Sequence, residues 1–385
     1  MATTRRQSGD FLPLARHEPL LRALLATDAA AAPAALQWLE AIDFDVIDVA
    51  EQRLMPFFDS RLRALALDHP AKGKVRGLYR RAWYVEQTMR HELGRILSIL
   101  EEDLPRVVLL KGAALSRLVY DHPAHRPYGD FDLLVPYDHQ RRAIAALRRV
   151  GGITSPGSFH ATSVRMPSGF SVDLHRSPYH AAFRADHVAP LFSRLRVVDA
   201  LQSEGAASAS RWPDQWWTLS NADQLLHTIM HGLSPGSPPP IRWIVDGVLL
   251  IRRERGRIDW DLFQHEAGRL AFVEPAIVGL REILRHEPDM DAARVLLDLE
   301  RRTSPSAVAQ WCEARRDPGM IAIWDMTRRN AKGWRRLGLV ARIMLEQHGV
   351  VGLARASARK GIPALRALIG ILLERRRREA EREGV

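Results

Sequence analysis

Apolar residues recur at three- and four-residue intervals through the first hundred positions. That spacing predicts helices around Leu20–Leu25, around Trp38–Ile42 and from Gly77 to Leu100. The pattern then changes. Arg106-Val107-Val108-Leu109-Leu110 is aliphatic and β-branched, which predicts a buried strand. Lys111-Gly112 ends it, and Ala114, Leu115, Leu118 and Val119 resume helical spacing. Asp130-Phe131-Asp132-Leu133-Leu134-Val135 predicts a second strand. Residues 159–166 and 170–175 flank Pro167-Ser168-Gly169, which predicts a hairpin whose later arm turns Val172 and Leu174 to one face and Asp173 and His175 to the other. Small polar residues at 202–210 read as a loop. Helical spacing returns from 212 to 310, broken by the proline-rich run 234–240. Four regions follow: a helical region over 1–100, a strand-and-helix domain over 101–200, a helical cap over 201–320 and a basic helical extension over 321–385. The fold class expected is α+β, a small mixed sheet with helices before and after it.

Asp130 and Asp132 stand two apart on the second strand and so project from one face. Like charges held that close repel, and a cation or a shared proton relieves them. Mg²⁺ is the fitting cation where carboxylate and phosphate oxygens meet. Two solvated acids at a strand end would show the same pattern. The strand–glycine–helix junction at Gly112 gathers free N–H groups into an anion site, although an ordinary strand-to-helix turn also calls for glycine. Asp173 offers a third carboxylate from a neighbouring strand, as would any polar-out edge strand.

Together these elements resemble the polymerase-beta-type nucleotidyltransferase superfamily. They are closer to a bacterial family usually called uncharacterised nucleotidyltransferases. The resemblance rests on Leu110-Lys111-Gly112, Tyr120, Arg126, Asp130 to Val135 and Val172-Asp173-Leu174-His175, with Arg242-Trp243-Ile244-Val245-Asp246 and Asp259-Trp260 in the helical half. It implies transfer of NMP from an NTP such as ATP to a hydroxyl, by a two-metal displacement. Asp130, Asp132 and Asp173 would be the catalytic, metal-holding acids for two Mg²⁺, or Mn²⁺. Lys111 and the Gly112 amides would cradle phosphate oxygens, Arg126 would clamp a phosphate, and Ser116 would offer a hydroxyl or lie on the helix surface. The chain departs from the superfamily in carrying Lys111-Gly112 where Gly-Gly or Gly-Ser is usual.

A formal charge of +11 over 385 residues attracts phosphate-bearing ligands. One cysteine, Cys312, rules out an internal disulfide and fits a reducing cytoplasm. No apolar signal core precedes Pro13. His227 and His231 share a helix face, but Thr228 stands where a zinc protease has Glu, so packing at the domain interface is the expectation. Trp216, Trp217, Trp243 and Trp260 either stack a base or fill core. Arg375–Arg378 beside Leu365, Leu368 and Leu372 suits an anionic partner, a membrane surface or a docked helix. The acceptor stays open among small molecule, peptide, protein and RNA. Two other functions fit the same scaffold: a non-catalytic nucleotide-binding or toxin–antitoxin-like interaction module, and kinase-like phosphoryl transfer.

Overall fold

A computed structural model describes residues 11–27, 29–155, 161–179, 185–199, 215–233 and 239–316. These lie within one unit, Met1–Tyr179 with Phe183–Pro318. The arginine-rich extension after 320 lies outside the described residues.

The N-terminal helices are α1 (Glu18–Leu25), α2 (Ala31–Ala41), α3 (Val49–Gln52), α4 (Met55–Ala64) and the 30-residue α5 (Lys72–Glu101). Asp48 starts α3 by accepting the N–H groups of Ala50 and Glu51, as a helix-capping acid should. The middle of the chain alternates: β1 (Val108–Leu109), α6 (Lys111–Leu118), β2 (Phe131–Leu134), α7 (Gln140–Arg149), β3 (Ile153–Thr154), β4 (Ala161–Arg165), β5 (Ser171–His175), α8 (Ala185–Phe192), β6 (Arg196–Asp199) and β7 (Gln215–Thr218). The helical half follows with α9 (Asn221–Gly232), α10 (Arg242–Arg253), α11 (Trp260–Arg269), α12 (Val273–Leu284), α13 (Met290–Arg301) and α14 (Pro305–Arg316). Ser220, Asp259 and Asp289 cap α9, α11 and α13 with their side chains. Among the described residues no helix is long and apolar enough to cross a membrane.

The strands form one mixed sheet in the order β3-β4-β5-β2-β1-β7-β6, so the fold is α+β. β2 lies in the middle, with all four residues buried. It runs antiparallel to β1 and parallel to β5. The expected hairpin is β4–β5. Gly169 closes it with φ +87°, where glycine carries no Cβ penalty, and its N–H donates to Met166 O at 2.9 Å. The hairpin's register pairs Ser163 with Asp173, and the β2–β5 register pairs Asp132 with Asp173.

The helical half packs back onto the sheet's connections. Arg242 on α10 donates to Pro127 O, and within the sheet itself Thr218 Oγ1 of β7 donates to Leu109 O of β1 at 3.4 Å. Trp216, Trp243 and Trp260 are buried in this region and act as core. His227 is buried, with its ring 6.0 Å from that of Tyr179, while His231 on the same face is exposed.

Candidate active site

Alternation along β2 sends Phe131 and Leu133 to one face and Asp132 to the other. The parallel register then sets Asp132 directly beside Asp173. His175 follows two residues later on the same face of β5, opposite Leu134. Asp132, Asp173 and His175 each offer a donor atom within 4.8 Å of the others.

Each acid has one oxygen engaged. Asp132 Oδ1 accepts from Lys111 Nζ at 2.6 Å and meets His175 Nε2 at 2.7 Å. Asp173 Oδ1 accepts from Ser163 Oγ on the adjacent strand at 2.5 Å. Neither Oδ2 takes a hydrogen bond among the described residues. Burial alone would push the Asp132 carboxyl up, but the His175 hydrogen bond and the Lys111 charge outweigh it and hold the pKa well below 3.8. Asp132 is therefore an ionised acceptor, and the proton in its contact with His175 belongs to Nε2. Two carboxylates with free oxygens and firmly held partners fit a divalent cation.

Asp130 stands just before the first residue of β2 and is exposed. It lies outside the tight group of three. Surrounding protein and then the like charge of Asp132 raise its pKa, with Lys111 opposing. Its charge is thus felt at the site while its carboxylate sits at the mouth.

Lys111 opens α6 from β1 in a left-handed conformation, φ 43°. A side chain at positive φ costs on the order of 1 kcal/mol, and such strain concentrates at functional positions. Here it turns the ammonium back toward Asp132. Gly112 also has a steric reason: a Cβ there would come within 2.4 Å of Tyr128 Cβ. Ser116 has no exposed surface, donating to Ala113 O and accepting from Arg117, so it does not lie on the helix surface.

The expected phosphate clamp of Arg126 is turned elsewhere. Its Nε and Nη2 donate to the two oxygens of Asp246 on α10, both at 2.7 Å, and Tyr120 OH adds a third bond at 2.8 Å. Arg126 and Asp246 are both buried. This fork–fork pair joins the helical half to the loop before β2. Arg126 Nη1 has no hydrogen-bond partner among the described residues and lies beside Gly112, 3.2 Å from where a Cβ would sit.

His175 and Ser163 were not among the expected site residues. Both are readable in principle: His175 by its two-residue spacing from Asp173, and Ser163 by the hairpin centred on Ser168, which sets 163 opposite 173. A second cluster, His17, Asp48 and Glu51, also gathers within 4.8 Å. There the Leu14 N–H donates to His17 Nδ1, Arg16 donates to Asp48 Oδ2 and Trp38 Nε1 donates to Glu51 Oε1, so each of the three side chains is engaged by the chain itself.

Among known protein families, the one described as "Uncharacterised nucleotidyltransferase" matches residues 46–283. No curated protein and no solved structure matches the chain.

Proposed function

Because the chain belongs to the uncharacterised nucleotidyltransferase family, we propose that it transfers a nucleoside monophosphate from an NTP to an acceptor hydroxyl, releasing pyrophosphate. The observation that carries this reading is the in-register pair Asp132 and Asp173, each with one oxygen engaged and the other without a hydrogen bond among the described residues. Asp132 and Asp173 would hold Mg²⁺, with Asp130 completing the acidic mouth. The bound cation would neutralise phosphate charge and lower the pKa of the acceptor hydroxyl. Lys111, on a flexible chain at the start of α6, supplies the nearest ammonium for a phosphate oxygen, and the N-terminus of that helix adds its partial positive charge. Arg126 takes a structural part in this scheme, because its fork is spent on Asp246.

The test is release of pyrophosphate from NTPs with Mg²⁺ over a panel of hydroxyl acceptors, compared between the wild-type chain and Asp132→Asn and Asp173→Asn. Wild-type release that both variants abolish is the expected result. Equal release by the variants would sink the proposal. Appearance of NDP instead of pyrophosphate would mark phosphoryl transfer on the same scaffold.

A further inference from the structure

Asp132 and Asp173 have different partners but the same arrangement. On each, hydrogen-bond donors engage a single oxygen. For Asp132 the two donors differ in kind. Lys111 reaches Oδ1 with a four-carbon chain that retains some exposure. His175 is 1% exposed, has only two side-chain torsions, and has its backbone fixed on both sides: Gln140 Nε2 donates to its carbonyl at 2.7 Å, and the Val135 N–H donates to the same oxygen at 3.2 Å. Its Nε2 lies 2.7 Å from Asp132 Oδ1, and a ring nitrogen engaged in that hydrogen bond is not free to bind a metal.

We propose that His175 is a positioning residue for the cation site: its Nε2–H holds one oxygen of Asp132 in place so that the other is presented to the ion, and Ser163 does the same for Asp173. The inference rests on the cation-binding reading given above. It also assigns the two donors on Asp132 separate tasks. Lys111 has a long, partly exposed side chain and would exchange Asp132 for a phosphate. His175 is fixed, and it keeps the carboxylate oriented when Lys111 departs. Donors behind metal-binding groups commonly change metal affinity by about 10–100-fold when removed.

The experiment uses the full chain stripped of metal and titrated with Mn²⁺ alone, following the free-ion signal by electron paramagnetic resonance. His175→Leu is expected to weaken Mn²⁺ binding about 10–100-fold. His175→Gln, which keeps an N–H near the Nε2 position, is expected to restore most of it. Ser163→Ala should weaken binding and Ser163→Thr should retain it. Spin-echo spectra of the Mn²⁺-loaded wild type should show no strong coupling to a directly bound nitrogen. Such a coupling would make His175 a ligand and overturn the proposal, and this readout stands even where His175→Leu fails to fold. Folded His175→Leu that binds Mn²⁺ as tightly as wild type would also overturn it. A folded wild type that binds no Mn²⁺ would remove the cation site itself, and the inference with it.

Discussion

Replacing Asp246 with Ala would cut the polar tie between the helical half and the sheet. The carboxylate accepts three hydrogen bonds of 2.7–2.8 Å, from Arg126 Nε, Arg126 Nη2 and Tyr120 OH. Bonds to an ionised group are worth about 1.5–3 kcal/mol each, but three that share one carboxylate do not add. The larger loss is electrostatic. Burial disfavours the charge on Arg126, and Asp246 outweighs that cost. Burial and Arg126 also disfavour the charge on the neighbouring Arg242, which Asp246 supports. Without Asp246 two like charges that repel each other lose the carboxylate that supports both. Breaking a buried pair from one side costs about 3–5 kcal/mol, so about 4 kcal/mol is expected. With a urea slope of about 3 kcal/mol/M, the unfolding midpoint should fall by about 1 M. Asp246→Asn should fall nearly as far, because it keeps an acceptor but loses the charge. Arg126→Met with Asp246→Leu and Tyr120→Phe should recover most of the loss, since no member of the pair is then left alone. The reasoning is refuted if Asp246→Ala costs under about 1 kcal/mol, or if the triple variant is as unstable as its single changes summed.

Two further outcomes follow from charges near the site. Burial, together with the charges of His122 and Arg63, pushes His125 down to about 4 from 6.5. The unfolded chain therefore binds this proton more readily, so the contribution is complete above pH 6.5 and is lost as pH falls toward 4. The loss reaches about 3 kcal/mol, and urea melts at pH 7 and pH 4.5 should show a smaller drop for His125→Phe than for wild type; an equal drop would exclude His125 as its source. Asp130→Asn should raise the melting temperature in EDTA by relieving repulsion from Asp132 and Asp173, while abolishing transfer. A lower melting temperature would contradict the raised pKa of Asp130.

The strand–turn–helix around Lys111, the strand of Asp132 and the β4–β5 hairpin were legible because each is local: apolar periodicity and turn residues report directly on backbone shape. The pairing of Asp132 with Asp173 is one step less local. It needs β2 and β5 to be neighbours, although they are separated in sequence by α7, β3 and β4. The fate of Arg126 was not legible. An arginine shortly before two acids looks like a phosphate clamp, and only the fold brings Asp246 across more than a hundred residues to claim it. For Gly112 the sequence suggests a phosphate cradle or an ordinary turn, and the steric constraint from Tyr128 is a side-chain contact that no spacing rule contains. Ser116 lies on a short helix that is buried from Gly112 to Leu118, on every face, because the surrounding elements enclose it; helical spacing alone predicts one exposed side.

The adjacency of β2 and β5 makes the distance between two acidic side chains a property of the backbone. Neighbouring strands lie about 4.8 Å apart whatever residues they carry, so Asp132 and Asp173 are gauged by ladder hydrogen bonds. Such a gauge changes only in whole-residue steps, and a one-residue slip would turn Asp173 to the opposite face. Helices α9 to α14 are under no such quantised rule. Their side chains can change to a different packing while the two carboxylates stay one strand-width apart, so the helical half and the acidic pair are constrained by different physics.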